Sequence, residues 1–275
     1  MRLPHSWTNT VKLPAVNKKQ TQQNWSLPQL EAELLNASRV CAEYVATQNR
    51  GRVATCLSGG LDSSLNLAMV RVQFPTTVIN AFTIGGSARH PDVIVASEVA
   101  KQLKAFHYIF IPQSTDIERA KKVLKDLFQK PPNQKAIIMF CLYKYMAENN
   151  VSAVLSHHGL NELMGGYREH QCQINEKQKL EIFERLWREL PERHLKPLER
   201  IAKYWDISIC FPYLQPLVVK YAALIPLADR TSEQENKIPI RRITKKYNLP
   251  QIVLRRSKKY FCDALDINGE EIDNK

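Results

Sequence analysis

The richest chemistry in this chain lies in seven consecutive residues, Ser58, Gly59, Gly60, Leu61, Asp62, Ser63 and Ser64, reading S-G-G-L-D-S-S. The apolar run 53–57 before them has the form of a buried parallel strand. Leu65, Leu67, Ala68, Val70 and Val72 after them continue an apolar segment that reads as a helix. A Gly-Gly turn at such a junction lets backbone N–H groups approach an anion, and the helix N-terminus adds partial positive charge. Three serine hydroxyls add donors. Asp62 supplies a hard oxygen of the kind Mg²⁺ takes, and it is expected to face the metal rather than the core. The reading is a phosphate cradle, though not the G-x-x-x-x-G-K-[ST] type, because no lysine follows the glycines. The alternative, a Gly/Ser turn capped by Asp with no ligand, fits S-G-G alone better than it fits the whole heptad after an apolar strand.

The elements that must position this loop are legible as an alternation. Strands are predicted over 78–84, 107–111 and 152–156, with helices near 28–40, 92–104, 115–128 and 135–149. Strands and helices alternating at this length imply an α/β fold, a doubly wound parallel sheet with helices on both faces. Beyond residue 170 the pattern is helical, with no clear strand, so a helical C-terminal region is expected. Residues 1–27 lack periodicity and read as a tail or arm, draped over the core by Trp7 and Trp25, with a helix entry at Ser26 and Pro28. One domain over 28–265 and a tail over 266–275 complete the expected organisation. Of nine glycines, seven fall in three loops, Gly59 and Gly60, Gly85 and Gly86, and Gly159 with Gly165 and Gly166. Each loop follows a predicted strand, which places it at the carboxyl edge of the sheet, where doubly wound folds bind ligands.

At 275 residues the chain can bury one large core or one core with a small appendage. No N-terminal apolar region resembles a signal, and no stretch reaches the apolar length of a membrane span. Six cysteines are scattered without a C-x-x-C pair, which argues against a zinc ribbon or an iron–sulfur thiolase and fits a reduced cytoplasm. The net charge is +12, and from Lys237 to Cys262 there are nine Lys or Arg and no acid. Such a segment can grip RNA or line a site for a polyphosphate; the second reading is the one favoured here.

The heptad resembles the pyrophosphate loop of N-type ATP pyrophosphatases, and the remaining motifs resemble one family among them, the asparagine synthetases. Phe82, Thr83, Ile84 and Gly85, followed by Pro91, Asp92 and His107, are similar to that family's second strand and adenosine-side loop. Residues 156–167, reading S-H-H-G-L-N-E-L-M-G-G-Y, resemble its S-G-E-G-x-D-E-L-x-G-G-Y. Residues 211–214 resemble part of R-x-P-F-L-D. Lys237 through Arg241, Leu249 and Pro250, and Arg256 through Lys258 resemble K-x-x-L-R, L-P and R-x-K. The ordered match runs from about residue 28 to 262 and covers the synthetase domain, without the family's glutaminase domain. The resemblance implies an adenine nucleotide alpha hydrolase-like (HUP-type) sheet that uses ATP and Mg²⁺. It implies a carboxylate substrate activated with pyrophosphate release and passed to free ammonia, to an amine substrate, or to ammonia supplied by a separate ammonia-supplying protein. It also implies that Leu57, Ser58, Gly59, Gly60, Asp62, Ser63, Ser64, Ile84, Ser156 and His157 hold the nucleotide, and that Asp62 and the residue at 161 hold the metal. Lys237 is implied at the leaving pyrophosphate, where a cation stabilises developing charge.

Three departures bear on the reaction. His158 stands where the family has the glutamate thought to act as general base, and where related β-lactam synthetases have tyrosine. Imidazole titrates near neutral pH, so His158 fits a base; it also fits a space-filling replacement, or a metal ligand beside His157. Asn161 replaces the second metal-binding aspartate, keeping an oxygen and losing a charge. Cys210 and Gln215 replace the Arg and Asp of R-x-P-F-L-D, removing groups expected near the substrate. Glu199 matches an acidic position that partners the reaction-defining residue in β-lactam synthetases, and would orient His158 and raise its basicity. A non-catalytic nucleotide-binding relative and an RNA-modifying enzyme remain the alternatives at this stage.

Overall fold

A computed structural model describes residues 25–172 and 175–255. The expectations for Trp7, for the matches at Arg256 through Lys258, for Cys262 and for the C-terminal tail lie outside the described residues. Helix α1 (Leu27–Gln48) begins at Ser26, whose hydroxyl accepts from the Gln29 N–H at 3.3 Å, with proline in the first turn. Trp25 packs against the core and donates its indole N–H to Asp229 at 3.1 Å.

Strand β1 (Val53–Cys56), helix α2 (Leu61–Gln73), β2 (Ile79–Ile84), α3 (Pro91–Gln102) and β3 (Phe106–Phe110) follow in turn. Helices α4 (Ser114–Phe128) and α5 (Gln134–Glu148) lead to β4 (Ala153–Leu155) and a short α6 (Leu160–Met164). The chain continues through α7 (Glu176–Leu190), α8 (Lys196–Tyr204), β5 (Ser208–Cys210), α9 (Pro216–Ala222), α10 (Leu227–Arg230), α11 (Ile238–Thr244) and α12 (Gln251–Arg255). All pairings are parallel, in the order β3-β2-β1-β4-β5, with Cys56 beside Phe82 and Thr55 beside Leu155. The expected doubly wound sheet is therefore present. The order runs outward from β1 through β2 to β3, then returns to β4 on the other flank. That reversal makes a crevice at the carboxyl ends of β1 and β4.

One expectation fails. The C-terminal half is not wholly helical, because β5 lies within it and pairs with β4 from Ala153↔Ser208 to Leu155↔Cys210. Three residues are too few to display a period, so no pattern could mark them. The strand matters to the crevice, since the Cys210 carbonyl accepts the Ser156 N–H at 2.8 Å and fixes the start of the next loop.

Strands β1, β2 and β4 are buried along their whole length, whereas β3 is a half-exposed edge. The short β4 is anchored from α1's end by Asn49. Its Oδ1 accepts from the N–H groups of Ser152 and Ala153 at 2.8 and 3.1 Å, and its Nδ2 donates to the Ala153 carbonyl at 2.7 Å. Among the described residues no helix is long and apolar enough to cross a membrane.

Candidate active site

The glycine-serine loop joins β1 to α2 as expected. Gly59 has φ +70, and a Cβ there would come within 2.8 Å of the Asp92 carbonyl oxygen and 2.9 Å of the Ala96 nitrogen. Only glycine lets the loop press against α3 in this backbone conformation. Ser63 donates to the Gly60 carbonyl at 3.1 Å, and its Oγ also accepts from the Ser58 N–H at 3.1 Å and lies 3.0 Å from Ser58 Oγ. These bonds set the loop's shape. Ser64 Oγ is buried without a hydrogen-bond partner.

Leu57 and Ile84 end adjacent strands at the same edge. The Leu57 carbonyl accepts the Thr83 hydroxyl at 2.6 Å, so that proton is committed. His107 Nε2, 2.7 Å from Thr83 Oγ1, must then be the donor, which fixes its tautomer. Burial lowers the His107 pKa from its ordinary value and favours this neutral ring. Burial raises the Cys56 thiol beside the loop to about 12, which disfavours the thiolate.

Asp62 differs from the sequence expectation. It is buried in the first turn of α2, and both carboxylate oxygens accept from Lys237 Nζ at 2.6 Å. The Asp62 carbonyl also accepts the Tyr213 hydroxyl at 2.7 Å. Asp62 therefore does not merely face outward to a ligand; it is tied into the interior. Helix α2 forces this, because a first-turn side chain folds back toward the loop and meets the residue leading into α11.

Lys237 holds φ +52 at the start of α11, and Gly166 makes room for it. A Cβ on Gly166 would overlap both Lys237 Cε and Asn161 Oδ1. Lys237 and Asn161 thus meet across this glycine. Asn161 Oδ1 is buried with no hydrogen-bond partner, an oxygen that fits a hard cation. The next residue, Glu162, is 2% exposed; one oxygen accepts the Tyr167 hydroxyl and the other is buried without a partner. Burial first, then the neighbouring Glu162 and Asp62 charges, push the Tyr167 phenol above its usual range.

His158 sits in the loop after β4. Its Nδ1 is 2.7 Å from Ser156 Oγ, and its ring stacks on His157 with centroids 5.4 Å apart. Among the described residues no group of three or more His, Cys, Asp or Glu gathers as a metal centre, so the metal-ligand reading of His158 gains no third ligand. Glu199 lies on α8; burial first, with smaller contributions from Cys56 and Glu199, raises the Tyr143 phenol well above its usual range. Cys210 and Gln215 are buried; Gln215 Nε2 donates to the Phe211 carbonyl at 3.3 Å. A hydrogen bond to Cys210 and burial together raise the Cys41 thiol.

Sequence reasoning missed Gly166 as a spacer, Tyr213 as the anchor of α2, and the free oxygen of Glu162. The cluster of glycines after β4 was the one available signal for the first.

Fold and crevice together define an α/β protein whose phosphate-type loop sits at the switch point of a parallel sheet. The asparagine synthase family model matches residues 42–208 and 185–270, and the chain belongs to that family. It is 29% identical over 269 residues to a "Probable asparagine synthetase [glutamine-hydrolyzing]" of Acanthamoeba polyphaga mimivirus, covering 94% of this chain and 46% of that protein. It is 29% identical over 228 residues to the human asparagine synthetase [glutamine-hydrolyzing], covering 78% of this chain and 40% of that protein. The chain thus spans less than half the length of these relatives. Among solved structures, the NMN synthetase from Francisella tularensis aligns with a TM-score of 0.45 at 16% identity, covering 89% of this chain and 79% of that one.

Proposed function

We propose that the chain is an ATP-dependent carbon–nitrogen ligase that forms AMP and pyrophosphate. The observation that carries this reading is the convergence of Asp62, Lys237 and the unpartnered Asn161 oxygen beside the S-G-G-L-D-S-S loop. In the first step a substrate carboxylate oxygen bonds to the α-phosphorus of ATP, and the bond from that phosphorus to the bridging oxygen breaks. The N–H groups in the first turn of α2 are suited to the polyphosphate, while the Ser58 and Gly60 N–H groups hold the loop's own shape. Lys237 supplies positive charge where negative charge grows on the leaving pyrophosphate. Asp62 and Asn161 would hold Mg²⁺, which when bound neutralises phosphate charge.

In the second step ammonia or an amine attacks the acyl carbon, and AMP leaves. His158 is the base in this reading. For Nε2 to take the proton, Nδ1 must carry the ring hydrogen and donate it to Ser156 Oγ, 2.7 Å away. Ser156 is thereby a positioning residue, held by β5. Glu199 would orient this imidazole and raise its basicity. The nucleophile arrives free or from an ammonia-supplying protein.

The test is product analysis. With ATP, Mg²⁺, ammonium and a carboxylate panel, AMP should accumulate in step with amide. ADP and phosphate in place of AMP would refute the reading.

A further inference from the structure

Asp62 and Lys237 are 175 positions apart in the chain, yet Nζ lies 2.6 Å from each carboxylate oxygen, with the two side chains 10% and 6% exposed. An ammonium spanning both oxygens occupies the place a metal cation would take on that carboxylate. Asn161 Oδ1, buried and without a hydrogen-bond partner, lies against the same glycine as the Lys237 stem. One carboxylate, one ammonium and one amide oxygen without a hydrogen-bond partner therefore meet in the interior around Gly166.

We propose that Lys237 is a resident substitute for the divalent cation: it holds Asp62 while the site is empty of nucleotide, and it leaves the carboxylate when the metal binds. An ammonium and a doubly charged ion cannot share two buried oxygens, because little water remains to screen their repulsion. The lysine stem is flexible enough to swing, but the charge needs a new acceptor inside the protein. Phosphate oxygens of a nucleotide provide one. Metal alone therefore binds against the ion pair and binds weakly. Metal and nucleotide together bind in mutual support, each removing an obstacle to the other. The inference rests on the proposed reading for the identity of the phosphate donor, while the exchange at Asp62 needs no turnover.

The test is titration of Mn²⁺ into the full chain without nucleotide, with free Mn²⁺ read by electron paramagnetic resonance. Lys237→Met keeps the stem and removes the charge, and should bind Mn²⁺ on the order of tenfold or more tightly than wild type. Circular dichroism verifies its fold. A second measurement needs no variant: saturating Mg²⁺ should raise labelling of Lys237 in wild type by an amine-selective reagent, read by peptide mass spectrometry. Unchanged or weaker Mn²⁺ binding in a folded Lys237→Met, or unchanged Lys237 labelling, overturns the proposal. Tighter Mn²⁺ binding in a protein that never makes AMP would refute the ligase reading and leave the cation exchange standing.

Discussion

At the scale of single residues, Asp62 carries two demands that the sequence separates and the fold combines. It is a hard oxygen at the mouth of a phosphate-type loop, and it is half of a buried ion pair. Asp62→Asn should therefore remove activity and also destabilise the fold, in contrast to the expectation that its cost would be purely functional. Leaving Lys237 buried and unpaired costs about 3–5 kcal/mol, to be read as a lower urea midpoint at unchanged slope. Gly166→Ala should damage the same cluster without touching a charge, because the added methyl overlaps Asn161 Oδ1 and Lys237 Cε. A loss of about 1–3 kcal/mol, with weakened Mn²⁺ binding, is expected by the same two measurements. His158→Ala tests the second half-reaction. It should spare adenylate formation and slow amide formation by about 10²–10⁴-fold, with loss of a rising pH limb near the ordinary imidazole value. An unchanged amide rate would remove His158 from the chemistry.

At the scale of elements, the sheet does the positioning, and its legibility was uneven for physical reasons. Strands β1 and β2 were readable because each is an apolar run ending at a glycine loop, and the expected limits fall within a residue or two of those observed. The α1 entry was readable from Ser26 and the following proline. Strand β5 was not, since three residues carry no period, yet its Cys210 carbonyl sets the Ser156 N–H and so the loop that bears His158. The loop chemistry at 58–64 was legible from local sequence. The Asp62–Lys237 pair was not, because nothing local links residues so far apart. Asn49 exposes how much the short β4 depends on a neighbour. Asn49→Ala strands two N–H groups and a carbonyl, and should cost about 2–4 kcal/mol in urea unfolding. His107 gives the edge of the sheet a pH response. Its folded pKa lies below the ordinary 6.5, so the unfolded chain binds more protons in that range. The stability it contributes is present above 6.5 and is lost as pH falls from there through the folded value. His107→Gln should flatten that part of a stability–pH curve.

At the scale of the whole molecule, the net charge of +12 is not one patch with one purpose. Lys237 is buried on Asp62, and Lys246 pairs with Glu31. Arg241 is spent on the Leu254 carbonyl and on Asn236. Lys237 and Arg241 of the basic C-terminal run thus serve the interior, whereas Arg242, Lys245, Lys246 and Arg255 are exposed. The parallel order β3-β2-β1-β4-β5 then brings loop, lysine and amide to one crevice, although they come from the first, last and middle parts of the chain. In the proposed reaction this crevice joins ATP to a carboxylate with release of pyrophosphate. Exchange of labelled pyrophosphate into ATP tests it most directly, with Mg²⁺ present and carboxylates supplied one at a time to wild type and Asp62→Asn. Carboxylate-dependent exchange is expected in wild type and none in Asp62→Asn. Wild type silent with every carboxylate, or Asp62→Asn exchanging as fast as wild type, would contradict it.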